Sequence, residues 1–113
     1  MPTVEQHFTG RAPDVRATYA RILTAAKRLG PVREDPKKTS IHLVRRTAFA
    51  GIATRKDALI LTLKSEKDIR SRRIAKREQA SANRWHLEVR LNAPAQVDAE
   101  LEAWLKRAFE LAE

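Results

Sequence analysis

In three segments of this chain, TSIHLVR, ALILTLK and WHLEVRL, apolar residues return at every second position, and in two flanking segments they return at every third or fourth. That change of period constrains the fold more than any other feature. Period two puts one face of a strand inside, whereas a period near 3.6 does the same for one side of a helix. In TSIHLVR, Ile41 and Leu43 share a face and His42 and Val44 take the other. The short link RT brings the chain back as AFAGIAT, the pattern of a hairpin. RKD then turns into ALILTLK, with Leu59, Leu61 and Leu63 inward and Ile60 and Thr62 reversed. WHLEVRL directs Trp85, Leu87, Val89 and Leu91 inward and Arg84, His86, Glu88 and Arg90 outward. VRED, held between Pro31 and Pro36, fits a short edge strand, since proline cannot pair on both sides. Gly51, in the middle of a strand, suggests a bulge or a close approach by an overlying helix.

The helical period comes first in PDVRATYARILTAAKRLGP. It aligns Val15, Tyr19, Ile22, Leu23, Ala26 and Leu29 between Pro13 at the start and Gly30-Pro31 at the end. It returns in VDAELEAWLKRAFELAE, where Val97, Leu101, Trp104, Leu105, Ala108 and Ala112 line up after the break NAPAQ. A shorter helix is expected at TVEQHF, where Thr3 and Gln6 can cap one another and Gly10 ends the turn. Each long helix needs an apolar surface to cover. A mostly antiparallel sheet of four to six strands, with the N-terminal and C-terminal helices on one face, meets that need as a two-layer α+β fold. At 113 residues the chain fits one domain spanning 1–113, which by size scaling buries about two thirds of the surface exposed when unfolded.

Composition excludes several classes. The chain has no cysteine, which removes disulfides, thiolate chemistry and most structural zinc sites, so stability must come from burial. No apolar run approaches the roughly 18 residues of a membrane span. The opening MPTVEQHF lacks the basic and apolar regions of a secretory signal, so a cytoplasmic protein without membrane contact is expected. The charge has more to say. Twenty-three Lys and Arg against 14 Asp and Glu leave +9, and eight positive against three negative residues between Lys64 and Arg84 place +5 of it there. Such a field draws in polyanions at long range and is screened by salt within about 8 Å.

The densest part is IRSRRIAKR, residues 69–77. As a helix it would point Ile69 and Ile74 about 140° apart and leave no apolar side. As a strand it projects Arg73 and Arg77 together, with Arg72, Ile74 and Lys76 on the reverse, an arrangement an edge tolerates. Lysine and arginine on an edge strand discourage sheet-to-sheet aggregation; the same residues can also grip phosphates through charge-assisted hydrogen bonds. The candidate nucleic-acid-binding residues are Arg70, Arg72, Arg73, Lys76, Arg77 and Arg84. Five such contacts to duplex DNA would make affinity fall roughly 500-fold between 50 and 200 mM salt.

The blocks HFTGRAPDVRATY, KKTSIH followed by RTAFAG, and VDAELEAWLKRAFELA make the chain, from Glu5 to Ala112, resemble the small bacterial domains grouped as domain of unknown function 5655. The resemblance carries no catalytic residue with it. Members stand alone or beside other domains, some of nuclease or restriction type, which tilts the expected partner towards nucleic acid. It also implies two strands around a turn at Ser81 to Asn83, hence extended structure from Arg73 to Gln79.

Other motifs yield less. PKKTS lacks the glycines of a phosphate loop and leads into a strand, so it reads as a turn. Ser40, Ser65, Ser71 and Ser81 lack a nucleophile elbow, and Glu34-Asp35 sit beside lysines at an edge. His42 and His86 share the outward side of their strands but lack a supporting carboxylate or cysteine, and His7 suits packing or the surface. Trp85 and Trp104, in register with leucines, read as core, which leaves little for base stacking. The expectation is a non-catalytic module without cofactor or metal, binding nucleic acid or another polyanion such as an acidic protein. The alternative is an interaction or dimerisation module, possible as a homodimer if outward Val44, Ile52 and Ile60 align into an apolar patch. A small-molecule pocket between helices and sheet is a third class, for which the sequence offers no polar constellation.

Overall fold

The computed structural model describes residues 1–113. A 3₁₀ turn at Glu5–Phe8 precedes helix α1 (Pro13–Leu29); strands β1 (Arg33–Pro36), β2 (Ile41–Val44), β3 (Ala48–Thr54), β4 (Leu59–Ser65), β5 (Ile74–Ser81) and β6 (Arg84–Leu91) follow, then helix α2 (Ala99–Leu111). The six strands form one antiparallel sheet in the order β1-β2-β3-β4-β6-β5. Both helices pack on one face, so the α+β layers expected from the change of period are present. No helix is long and apolar enough to cross a membrane.

The register shows why the sequence folds this way. Ile41, Ile52, Leu61, Val89 and Ile74 lie opposite one another across five strands. One layer over, Leu43, Ala50, Leu63 and Leu87 do the same. These rows are buried under Val15, Tyr19, Ile22 and Ala26 of α1 and Leu101, Leu105, Ala108 and Phe109 of α2. Removing one such aliphatic side chain from water contributes about 1.5–3 kcal/mol before entropy is subtracted, which makes this face the source of stability.

The helix ends follow local rules. The Thr3 amide donates to Gln6 Oε1 at 2.9 Å and the Gln6 amide to Thr3 Oγ1 at 3.2 Å, the reciprocal cap expected. Pro13 opens α1, and the Leu101 amide donates to Asp98 Oδ1 at 3.0 Å to open α2. α1 stops at Gly30, with φ 156°, where Phe109 packs so closely that a Cβ would stand 3.0 Å from its Cζ.

Two face assignments and the position of a bulge differ from the sequence reading. Ile52 points into the core, fully buried, because residue 49 is an extra one: Leu43 pairs with Ala50 and Val44 with Ala48. This bulge turns Phe49 inward, where it meets Phe109 edge to face at 5.4 Å. The irregularity therefore lies beside Phe49 rather than at Gly51, and no helix overlies Gly51. On β5, a register shift between Ile74 and Lys76 puts buried Ile74 opposite Val89 and Arg77 opposite Leu87, both on the helix side, and leaves Lys76 on the open side opposite Glu88. Burial of Ile74 drives this, since regular alternation would set it on the same side as Lys76.

Candidate functional site

β5 is the outer strand, and its seven residues from Ala75 to Ser81 are all exposed. With the segments at its two ends it forms a cationic border, but the six candidate cations do not act as one hand. Arg73 is a strap to α2. Its guanidinium donates to Asp98 Oδ1 at 2.8 Å, Glu100 Oε1 at 3.2 Å and the Gln96 carbonyl at 2.6 Å, and it stands 5.6 Å over the Trp104 ring. Burial works against the charge, yet the hydrogen bonds to Asp98 and Glu100 outweigh it and hold the guanidinium above its usual pKa. The same bond, with the Leu101 amide, holds the Asp98 carboxyl below the usual aspartate range.

Arg77 is half committed. Its Nε donates to Asp68 Oδ1 at 2.8 Å and a terminal nitrogen to the Ile69 carbonyl at 3.3 Å, while its stem covers the end of the row at Leu87. Arg70 reaches the other oxygen of Asp68 only at 4.0 Å and its side chain is 94 % exposed. Arg72 and Lys76 are exposed without an ion pair. Arg84 starts β6 and donates only to the neighbouring Asn83 carbonyl, at 2.9 Å. Thus Arg70 and Arg72 mark one end of β5, Lys76 its open side, and Arg84 the turn at the far end.

The face away from the helices carries His42, Gly51, Thr62, Glu88 and Lys76 in one row and Lys64, His86 and Glu78 in the next. His42 and His86 are not adjacent: β3 and β4 separate their strands, about 14 Å at ordinary strand spacing. The apolar patch expected there is absent, because Ile52 is inside, Val44 is buried and Ile60 is half-buried. Around Gly51 the face hollows into a groove of about 320 Å³ lined by Ser40, His42, Thr62, Lys64 and His86.

A second concavity, of about 380 Å³, lies between α2 and the β4–β5 loop over Leu87, Trp104 and Leu111. An ion pair between Arg107 and Glu66 spans its rim, and its Asp68 is already bound by Arg77. At the opposite side of the molecule, buried Tyr19 donates its phenol to Glu34 Oε2 at 2.6 Å. Burial first, then this bond to Glu34, pushes the phenol well above its ordinary pKa. Neither the Arg73 strap nor this pair was legible in the sequence, since each joins residues from separate elements. The only hint was local: an acidic residue at the start of α2, which reads as a cap and nothing more.

The family described as Domain of unknown function (DUF5655) matches residues 4–112. The chain belongs to this family. No curated protein and no solved structure matches it. Because the family's description names no activity, the chemistry of this member is argued from its side chains.

Proposed function

We propose that this member of the family is a non-catalytic binding module that holds a polyanion, with nucleic acid the leading class, along the β5 border. The observation that carries the reading is the spacing of cations that no carboxylate reaches at hydrogen-bond distance. Arg70 and Arg72 precede the eight-residue outer strand, Lys76 lies on it and Arg84 follows the turn at its far end, a border of about 25 Å at roughly 3.3 Å per residue. A line of that length suits successive phosphates of a chain better than one small anion. Arg77 adds to the field while tied to Asp68, and Arg73 supports the border by anchoring it to α2. Contacts of this kind set position and do not read bases.

Binding of labelled single- and double-stranded DNA and RNA, followed by fluorescence anisotropy from 50 to 200 mM salt, tests it. Four phosphate contacts on a single strand predict a loss of roughly 50-fold over that range. Replacing Arg70, Arg72 and Lys76 by alanine together should flatten the salt dependence and remove most affinity. Affinity indifferent to both salt and the triple substitution would end the proposal.

A further inference from the structure

The groove around Gly51 is independent of the β5 border, and the fold gives no reason for its glycine. Gly51 sits in the middle of β3 and its φ is not positive, so any residue could adopt its backbone. A Cβ there would meet His42 Cδ2 at 3.8 Å and Thr62 Cβ at 3.9 Å, ordinary contact distances. Glycine weakens a strand interior and commonly marks a place where another group comes close to the backbone. No group of the chain itself comes that close to Gly51.

The rim supplies the chemistry. Ser40, His42, Thr62, Lys64 and His86 are half-buried, converge on the bare floor of Ala48, Gly51 and Ala53, and make no side-chain hydrogen bond within the protein. Three of the five carry nitrogen donors, and no carboxylate lines the groove. The acids on the same face stand outside it, Asp35 opposite His42, Glu88 opposite Thr62 and Glu78 opposite His86. A concave, mostly apolar floor of about 320 Å³ with a few convergent donors has the form of a small-ligand site. We infer that the open face of the sheet binds a small planar anion, an aromatic ring lying flat over Gly51 beside His42 with its negative group held by Lys64 and His86, which stand opposite one another on β4 and β6.

Adenosine monophosphate and indole-3-carboxylate serve as probes for the two sources of such a group, with adenosine, indole and inorganic phosphate as controls. Titration into the ¹⁵N-labelled chain should move the amides of His42, Gly51, Thr62, Lys64 and His86 with at least one charged probe, and at least tenfold less at equal concentration with the controls. Which probe binds distinguishes a nucleotide from an aromatic acid. Gly51→Val, which places a strand-favouring side chain in the groove, should lower that affinity at least tenfold while leaving the melting temperature equal or higher. Arg72→Ala/Lys76→Ala should leave it unchanged, so that failure here and failure of the border are separable. The inference falls if neither probe shifts those amides at millimolar concentration, if phosphate alone does so equally, or if a folded Gly51→Val binds as the parent does. Should Gly51→Val not fold, the amide map of the parent still decides.

Discussion

The two faces of the sheet are built from the same strands and have opposite characters. On the helix side, Ile41, Ile52, Leu61 and Val89 are wholly buried and each position is dictated by its neighbours. On the open side, His42, Gly51, Thr62 and Lys64 alternate with those residues and contact little beyond the sheet. One face therefore holds nearly all the packing energy. The other is left free to present donors, a bare backbone and, at its outer strand, cations.

Substitutions one residue apart on β4 give the sharpest break of that contrast. Leu61→Ala should cost about 2–5 kcal/mol in urea unfolding, because the cavity it leaves is walled by Ile52 and Val89. Thr62→Ala should change stability by less than about 0.5 kcal/mol. Equal costs would mean that the open face is itself packed, against a second copy for instance.

A smaller effect separates the cations of the border. Arg73→Ala should destabilise by about 1 kcal/mol, after discounting for the solvent around its carboxylate partners, because three hydrogen bonds and the cover over Trp104 go together. Lys76→Ala, three residues further on within β5 and with no ion pair, should stay within about 0.5 kcal/mol. If the two behave alike in unfolding, the strap to α2 contributes nothing to stability.

The smallest effect is in pH. Because Arg73 lowers the Asp98 carboxyl, its contribution is present above the ordinary aspartate value of 3.8 and is lost as the pH falls through the lowered folded value. The stability gap between parent and Arg73→Ala should therefore narrow in acid and hold steady near neutrality. A gap independent of pH would assign the effect to packing over Trp104 instead of to charge.

The core pattern was legible in the residues alone, because alternation in ALILTLK and WHLEVRL survives translation into a sheet position by position. Ile52 and Ile74 could not be placed that way. A single extra residue at a bulge reverses every later assignment on a strand, and nothing in AFAGIAT or RIAKREQ announces where it falls. The cationic stretch was legible as charge and, from Ile74 onward, as an extended edge, whereas Arg72 and Arg73 stand in a turn before the strand. The division of labour within it was not, since Arg73 depends on Asp98 and Glu100, 25 and 27 residues away.

Periodicity, caps and the absence of cysteine are local properties, so the chain alone determined two helices, a mostly antiparallel sheet and a stability resting on burial. Which arginines keep their charge for a partner, and that Gly51 opens a groove between Ser40, His42, Thr62, Lys64 and His86, were decided only when distant segments met. Pairing and concavity belong to the relative positions of strands and helices, and those positions have no counterpart in the order of residues.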